Sequence, residues 1–332
     1  MNMKGILRPS TRQFLKEARQ VRGSSLFNVL HGYVYGRWSY FYIAMGSGRH
    51  PLAKRLAPLL NWIGERIVAS AAGQGDAPAV RMEDTYHGKV VPLAAAKQLV
   101  SVKEDITLGD LEHIIPYSLA RDIVFQHPDH IAVLDCPCRV ASENPCLPLD
   151  VCLIVGEPFA SFVTDHHPQR SRRISPQEAQ DILQAEDRRG HVHHAFFKDA
   201  MLGRFYAICN CCDCCCGAMS AHRHGIPMLT ASGYRAVVDL QQCKGCSRCV
   251  DFCQFHAIEI QTKASNGDVR ARQARIDLEK CMGCGVCIDH CSRAALSLLR
   301  DPSRGEPLEI IRLMEMSEHR EMLSPFQKSV GR

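Results

Sequence analysis

Eighteen of the 332 residues are cysteine, and their positions are the clearest chemical signal in the chain. None falls in the first 135 residues. Cys136, Cys138, Cys146 and Cys152 come first, then Cys209, Cys211, Cys212, Cys214, Cys215 and Cys216. The last eight repeat one spacing, Cys243-x2-Cys246-x2-Cys249-x3-Cys253 and Cys281-x2-Cys284-x2-Cys287-x3-Cys291. Two residues between thiolates let one loop wrap an iron–sulfide cubane and reach three of its irons. The fourth thiolate, three residues on, is expected at the start of a short helix, pointing away from its own loop to serve the other cluster. Gly245 and Gly283 sit inside the loops, where the backbone must turn tightly. The ligand set alone also permits two four-cysteine zinc sites. The x3 step and the interleaved repeat favour cubanes.

The ten middle thiols are patterned less regularly. Neighbours such as Cys211 and Cys212 point different ways, so they belong to different irons or different clusters. Ten thiols fill two four-cysteine sites with two left over. One cluster beside free or redox-active thiols is an alternative, and zinc is another. One or two of them as small buried hydrophobes is the plainer reading. Five histidines, His166, His167, His191, His193 and His194, can ligate iron or zinc when neutral. A surface histidine cluster between helix and loop ordinarily does neither. Arg139 reads as a donor to cluster sulfide or to a partner's carboxylate, or as a plain surface residue.

The elements around these residues read as α+β. A helix is expected from Thr107, with Asp110, Leu111, Ile114 and Ile115. A second is expected from Pro116, with Leu119, Ile123 and Val124, ending at Pro128. Ile131 to Asp135 reads as a buried strand leading into Cys136. Ser175-Pro176-Gln177-Glu178 is a capping box. Ala179, Ile182 and Leu183 form the apolar stripe that follows, and Gly190 supplies the stop. Strands are expected before each of the two repeated four-cysteine loops (236–240, 274–278) and after each short helix (257–260, 295–299).

Composition sets the frame. Apolar residues are 46% and charged residues 23%, as in a globular chain. The N-terminus lacks the apolar run of a secretion signal, and no run of roughly 18 apolar residues exists to cross a membrane. A cytoplasmic location is expected, because a reduced chain this rich in thiols points to metal. Residues 1–72 hold eleven Lys/Arg against Glu17 and Glu65, a net of +9 where the whole chain is +5. The same segment holds Trp38, Trp62, Tyr33, Tyr35, Tyr40 and Tyr42. One reading is a helical region with a solvated basic face. The other is peripheral contact with the inner face of the membrane, or with an acidic partner. No nucleic-acid motif accompanies the charge, so nucleic acid is not expected.

From Tyr234 to Leu299 the sequence resembles the bacterial-type ferredoxin with two 4Fe–4S clusters. The resemblance implies one cluster on Cys243, Cys246, Cys249 and Cys291, and the other on Cys281, Cys284, Cys287 and Cys253. It departs where the family has proline after the fourth cysteine: Gln254 and Ser292 stand there. From about Ile114 to Leu299 the chain also resembles a group of dicluster ferredoxin-like proteins. The matching features are Cys136-Pro-Cys-Arg139, Glu178-Ala179, Gly190-His-Val-His193 and Cys209-Asn-Cys-Cys-Asp-Cys-Cys-Cys216. That group implies electron transfer, names no substrate, and makes His193 the leading histidine ligand.

The organisation expected is a basic aromatic, mainly helical region (1–100), a cysteine-rich α+β middle domain (101–233), a two-cluster 4Fe–4S module (234–301) and a tail (302–332). No P-loop, dinucleotide fingerprint, nucleophile elbow or radical-SAM triad is present. The expected function is an iron–sulfur electron-transfer protein or subunit. It would use two C-terminal 4Fe–4S clusters and one or two further clusters in the middle domain, and would serve a redox partner protein. A redox enzyme centred on Cys209–Cys216, and a redox or iron sensor, are the alternatives.

Overall fold

The computed structural model describes residues 7–21, 25–53, 55, 86–108, 111, 114, 123–263 and 271–327. Among the described residues, α1 (Pro9–Ala18), α2 (Leu26–Arg37) and α3 (Ser39–Gly46) precede β1 (Tyr86–Val91) and α4 (Leu93–Leu99). There follow β2 (Ile106–Leu108), β3 (Ile123–Phe125), β4 (Ile131–Asp135), α5 (Pro137–Val140), β5 (Asp150–Val155) and α6 (Phe159–His166). Next come β6 (Ser171–Ile174), α7 (Pro176–Arg188), β7 (Val192–Lys198), β8 (Arg204–Cys211), α8 (Gly217–Arg223) and β9 (Leu229–Thr230).

Seven of these strands form one sheet in the order β6-β4-β5-β8-β7-β1-β9. All its pairs are antiparallel except β1 with β9, so the sheet is mixed and the fold α+β. The central strands are buried on both faces, and β7 is buried along its whole length. Period-2 alternation divides their side chains between two cores. Leu153, Val155, Ala195, Phe205 and Ile208 face α4 and α7, with Leu99, Ala179 and Leu183. Cys152, Ile154, Phe196, Tyr206 and Cys211 face the other way, toward α1 and α6, with Phe14, Phe159 and Phe162.

Ser175 caps α7 by accepting from the Glu178 N–H (3.1 Å), and Gly190 ends the segment at φ +84°, as the capping box and glycine imply. The stretch at Thr107 is different. Thr107 lies in β2 opposite Val124 of β3, so neither expected helix includes these residues. Leu108, Ile123 and Phe125 are buried and Thr107 is exposed, which is strand alternation. Short apolar runs satisfy both periods, and here pairing decided. Asp110, Ile115, Pro116 and Leu119 lie outside the described residues.

The C-terminal part is two interlocked hairpin-like ribbons. Its elements are β10 (Tyr234–Val238), α9 (Arg248–Asp251), β11 (Ile258–Lys263), β12 (Ala271–Ile276), α10 (Val286–Asp289) and β13 (Leu296–Arg300). The strand entering the first repeat, β10, pairs with the strand leaving the second, β13, and β11 pairs with β12. Met282 and Val286 enter the same core as Cys211 and Phe196, so packing runs across the boundary drawn at 233/234. In the segment read as a tail, α11 (Ile310–Gln327) forms, and Leu308 and Ile310 are buried against the sheet. Among the described residues no helix is long and apolar enough to cross a membrane.

Candidate metal centres

Strand geometry builds the first centre. Cys209 and Cys211, two apart on β8, share a face, and Asn210 points to the other. Leu153 of β5 pairs with Ile208, so Cys152 falls opposite Cys209, and their sulfurs are 3.5 Å apart. Cys136 leaves the end of β4 as the N-cap of α5, and Cys138 is the second residue of that helix. Cys216 opens α8, with its sulfur 3.3 Å from that of Cys211. Six sulfurs therefore follow one another in hydrogen-bonding contact: Cys136, Cys138, Cys216, Cys211, Cys209 and Cys152. They border a largely apolar cavity of about 80 Å³.

This set suits soft metal, on its own electrostatics. Hydrogen bonds from Cys152 and Cys211 hold Cys209 well below the usual thiol range, and those from Cys138 and Cys211 do the same for Cys216. The donors pay the reverse cost: donation to a neighbouring sulfur, together with burial, pushes Cys136, Cys152 and Cys211 well up. Ionising all six needs cationic metal, and loading must release protons.

The N-terminal helices close this cavity. Tyr35, Gly36, Ser39 and Ile43 line it. The Tyr35 hydroxyl lies 3.0 Å from that of Tyr206, and Tyr40 donates to the Asp135 carbonyl (2.9 Å). Arg49 donates from one nitrogen to the carbonyls of Cys138 (3.0 Å) and Cys215 (2.7 Å), holding together the two segments that carry most of the thiols. No local sequence signal marked Arg49, because its partners are about ninety and more residues away. Trp62 lies outside the described residues. Leu26, Phe27, Leu30, Trp38 and Phe41 remain exposed on α2 and α3, and Leu26 is 85% exposed.

Beside the sulfur cavity, which Arg139 and Asn210 help to line, lies a buried polar network. Arg139 is fully buried, which removes the surface reading, and it lines the sulfur cavity, where its charge helps hold Cys209 down. Its Nη2 lies 2.5 Å from Glu186 Oε2 and donates to the Asn210 carbonyl (3.2 Å); its Nη1 donates to the Pro148 carbonyl (2.5 Å). Burial alone would raise the Glu186 carboxyl, but His191 at 2.7 Å and the Arg139 charge outweigh it and keep it ionised. His193, the leading histidine candidate, is cross-strand from Asn210, and its Nδ1 is 2.6 Å from Asn210 Oδ1. Burial lowers it to about 4, so it is neutral, and it does not line the sulfur cavity. His194 is also buried and lowered by that burial, to about 3. His166 bonds Thr11 and His167 bonds the Gly36 carbonyl, so both hold the N-terminal helices rather than metal.

The other four middle thiols gather separately. Cys146, Cys212, Cys214 and Cys215 bring all their sulfurs within 4.8 Å of one another. Cys146 lies 3.1 Å and Cys215 3.5 Å from Cys214. The turn after β8 divides the cysteine run, so that Cys211 and Cys216 face the cavity while Cys214 is exposed.

In the C-terminal part, one cavity of about 20 Å³ is lined by Cys253, Cys281, Cys284 and Cys287. Another of about 20 Å³ is lined by Cys243, Cys246, Cys249 and Cys291. The short helices hold the third cysteine of each repeat, Cys249 and Cys287, and the fourth follows the helix rather than starting it. The cause is that Ser247 and Gly285, both at positive φ, begin each helix directly after the second cysteine's loop. Backbone N–H groups converge on the sulfurs: Ala257 on Cys253 (3.2 Å), Ala295 on Cys291 (3.3 Å) and Ala274 on Cys243 (3.4 Å). Such donors stabilise thiolate charge and tune a cluster's potential. At Gly283, φ +66°, a Cβ would lie 2.1 Å from the Tyr234 carbonyl oxygen, so this loop closes only around glycine. Gln254, standing where the ferredoxin pattern has proline, accepts from the Asp213 N–H (2.8 Å) and ties the module to the middle cysteine run.

Residues 242–295 match the family described as the 4Fe-4S dicluster domain. No curated protein matched the chain. A 4Fe–4S ferredoxin-like module is therefore part of this chain.

Proposed function

We propose that this chain is an iron–sulfur electron-transfer protein or subunit. Its two C-terminal clusters would sit on Cys243, Cys246, Cys249 and Cys291, and on Cys281, Cys284, Cys287 and Cys253. A further cluster would sit among Cys136, Cys138, Cys152, Cys209, Cys211 and Cys216. Bound clusters would supply one-electron carriers. The residues supply position, charge compensation and exclusion of water.

One observation carries the reading: the cysteine-lined cavities form a succession from surface to core. Cys246 is exposed. Its set shares an apolar cluster with Cys253, Cys281 and Cys287. Cys284, Phe252 and Phe255 of the next set pack into the core that contains Cys209, Cys211 and Cys216. A redox partner protein would meet the chain near Cys246, and electrons would pass between there and the buried six-sulfur site. We place the chain in a reducing compartment, with peripheral membrane contact through residues 1–72. The support for that contact is the exposed face of α2 and α3, where Arg37 lies 5.6 Å from the Trp38 ring centre.

The test is full-length protein purified anaerobically, assayed for iron and acid-labile sulfide. The C-terminal pair alone requires about eight irons per chain. Wild type is expected to exceed that, and Cys209→Ser/Cys216→Ser to fall back to it. Equal iron in both, or iron near four, refutes the proposal.

A further inference from the structure

We infer that Cys146, Cys212, Cys214 and Cys215 form a closed site for a single soft metal ion, separate from every iron–sulfur cluster of the chain. The sulfur separations carry this. Four thiolates around one tetrahedral ion at about 2.3 Å stand about 3.8 Å from one another. The four sulfurs here all lie within 4.8 Å of one another, with two separations of 3.1 and 3.5 Å. A cubane spreads its thiolates further, because each ends on a different iron. The rest of the molecule provides the contrast: among the described residues, this is the one all-cysteine group gathered so tightly. The two ferredoxin-spaced sets surround cavities, and the six-sulfur set runs as a chain around a larger one.

The surroundings fit an ion held for structure. Four thiolates select zinc or ferrous iron over harder ions such as magnesium and calcium, and a closed four-ligand shell leaves no position for substrate. The sulfur of Cys215 also receives hydrogen bonds from the Cys146 backbone N–H and the Ser142 hydroxyl, as ligands in such sites do. Cys212 and Cys215 line the six-sulfur cavity as well, so the ion's shell and the cavity share a wall. Bound metal joins the β4–β5 connection, at Cys146, to the turn after β8, and Arg49 bridges the same connection, at Cys138 of α5, to Cys215. The ion therefore fastens the cavity closed. This role does not depend on electron transfer through the chain.

Full-length protein, purified anaerobically, tests this with metal and sulfide analysis of Cys146→Ser and Cys214→Ser. The expected result is loss of about one zinc or iron per chain with sulfide unchanged, and retention of the ion in Cys214→His, which keeps a ligand. Substitution of the ion by Co²⁺ should give the absorption of a tetrahedral thiolate complex, absent from Cys214→Ser. Because Cys214 is exposed, alkylation with peptide mapping gives a readout independent of folding. Its thiol should be protected in wild type and become reactive on addition of a chelator. Loss of about four irons together with sulfide would make the site a cubane and overturn the inference. Unchanged metal content, immediate alkylation of Cys214, or an intact mass showing a Cys146–Cys214 disulfide would overturn it too.

Discussion

Replacing Gly283 by alanine tests whether the second cluster loop is held by shape rather than by ligands alone. The residue has φ +66°, and a left-handed conformation costs an alanine about 1–2 kcal/mol. Its Cβ would stand 2.1 Å from the Tyr234 carbonyl oxygen and 2.4 Å from Ser232 Oγ, and backbone cannot step aside as a side-chain tip can. Forced overpacking of this kind costs about 1–3 kcal/mol. The Ser232 hydroxyl also donates to the Gly283 carbonyl at 2.7 Å, and losing that bond adds about 1 kcal/mol. The expected destabilisation is roughly 3–6 kcal/mol as the sum of these effects. Gly285 is the control. It has φ +89°, but its Cβ would meet only Leu298 Cδ1, at 3.5 Å, so Gly285→Ala is charged the conformational term alone, about 1–2 kcal/mol. Its counterpart in the first repeat, Ser247 at φ +71°, already carries a side chain. Anaerobic urea unfolding of the cluster-loaded chain, followed by iron release and far-UV dichroism, measures both variants. Equal midpoints for Gly283→Ala and Gly285→Ala would refute the steric argument.

Other perturbations have equally definite outcomes. Arg139→Met removes one of the two arginines paired with buried Glu186, Arg189 remaining at 2.8 Å, and should cost about 1.5–3 kcal/mol in urea unfolding, as loss of a charge-assisted hydrogen bond does. Asp187 is raised to about 6 by burial and by Asp289 of the C-terminal module. The folded state therefore holds a proton that an exposed carboxyl releases near 3.9, and stability from this group falls as pH rises from about 4 to 6. Asp187→Asn should remove that slope and stabilise the protein at pH 7 by about 2–3 kcal/mol, read from unfolding at several pH values. Arg49→Ala should cost about 1.5–3 kcal/mol by removing charge-assisted hydrogen bonds, and the loss of iron should be confined to the middle-domain site. Leu30→Ser/Phe41→Ser should abolish sedimentation with anionic vesicles at low salt; equal sedimentation of wild type and variant would remove membrane contact from α2 and α3.

Legibility differed from one kind of feature to another. The interleaved cysteine repeat was readable because a rigid cluster dictates local spacing, and four thiols at 2, 2 and 3 intervening residues leave few other solutions. The capping box at Ser175 and the strand at Ile131 were readable for the same local reason. Thr107 and Ile123 were misread, since a three-residue strand carries too few residues to separate the two periods, and its partner lies far along the chain. The histidines were read as ligands or surface groups, and Arg139 as a donor to sulfide or a partner's carboxylate, or as a surface residue. Nothing in their immediate neighbours shows that Glu186, Asn210, Thr11 and Gly36 come to satisfy them.

The sequence by itself determined the thiol chemistry, the two ferredoxin-spaced loops, the α+β class and the basic aromatic N-terminus, all of which are composition or short-range spacing. The tertiary structure alone decided how the ten middle thiols divide into six and four. Strand register sets Cys152 against Cys209, a turn sends Cys211 and Cys216 one way and Cys214 the other, and Arg49 arrives from the turn after α3, far back along the chain. Adjacent cysteines carry no record of which side of a backbone they will occupy until the sheet and its packing choose.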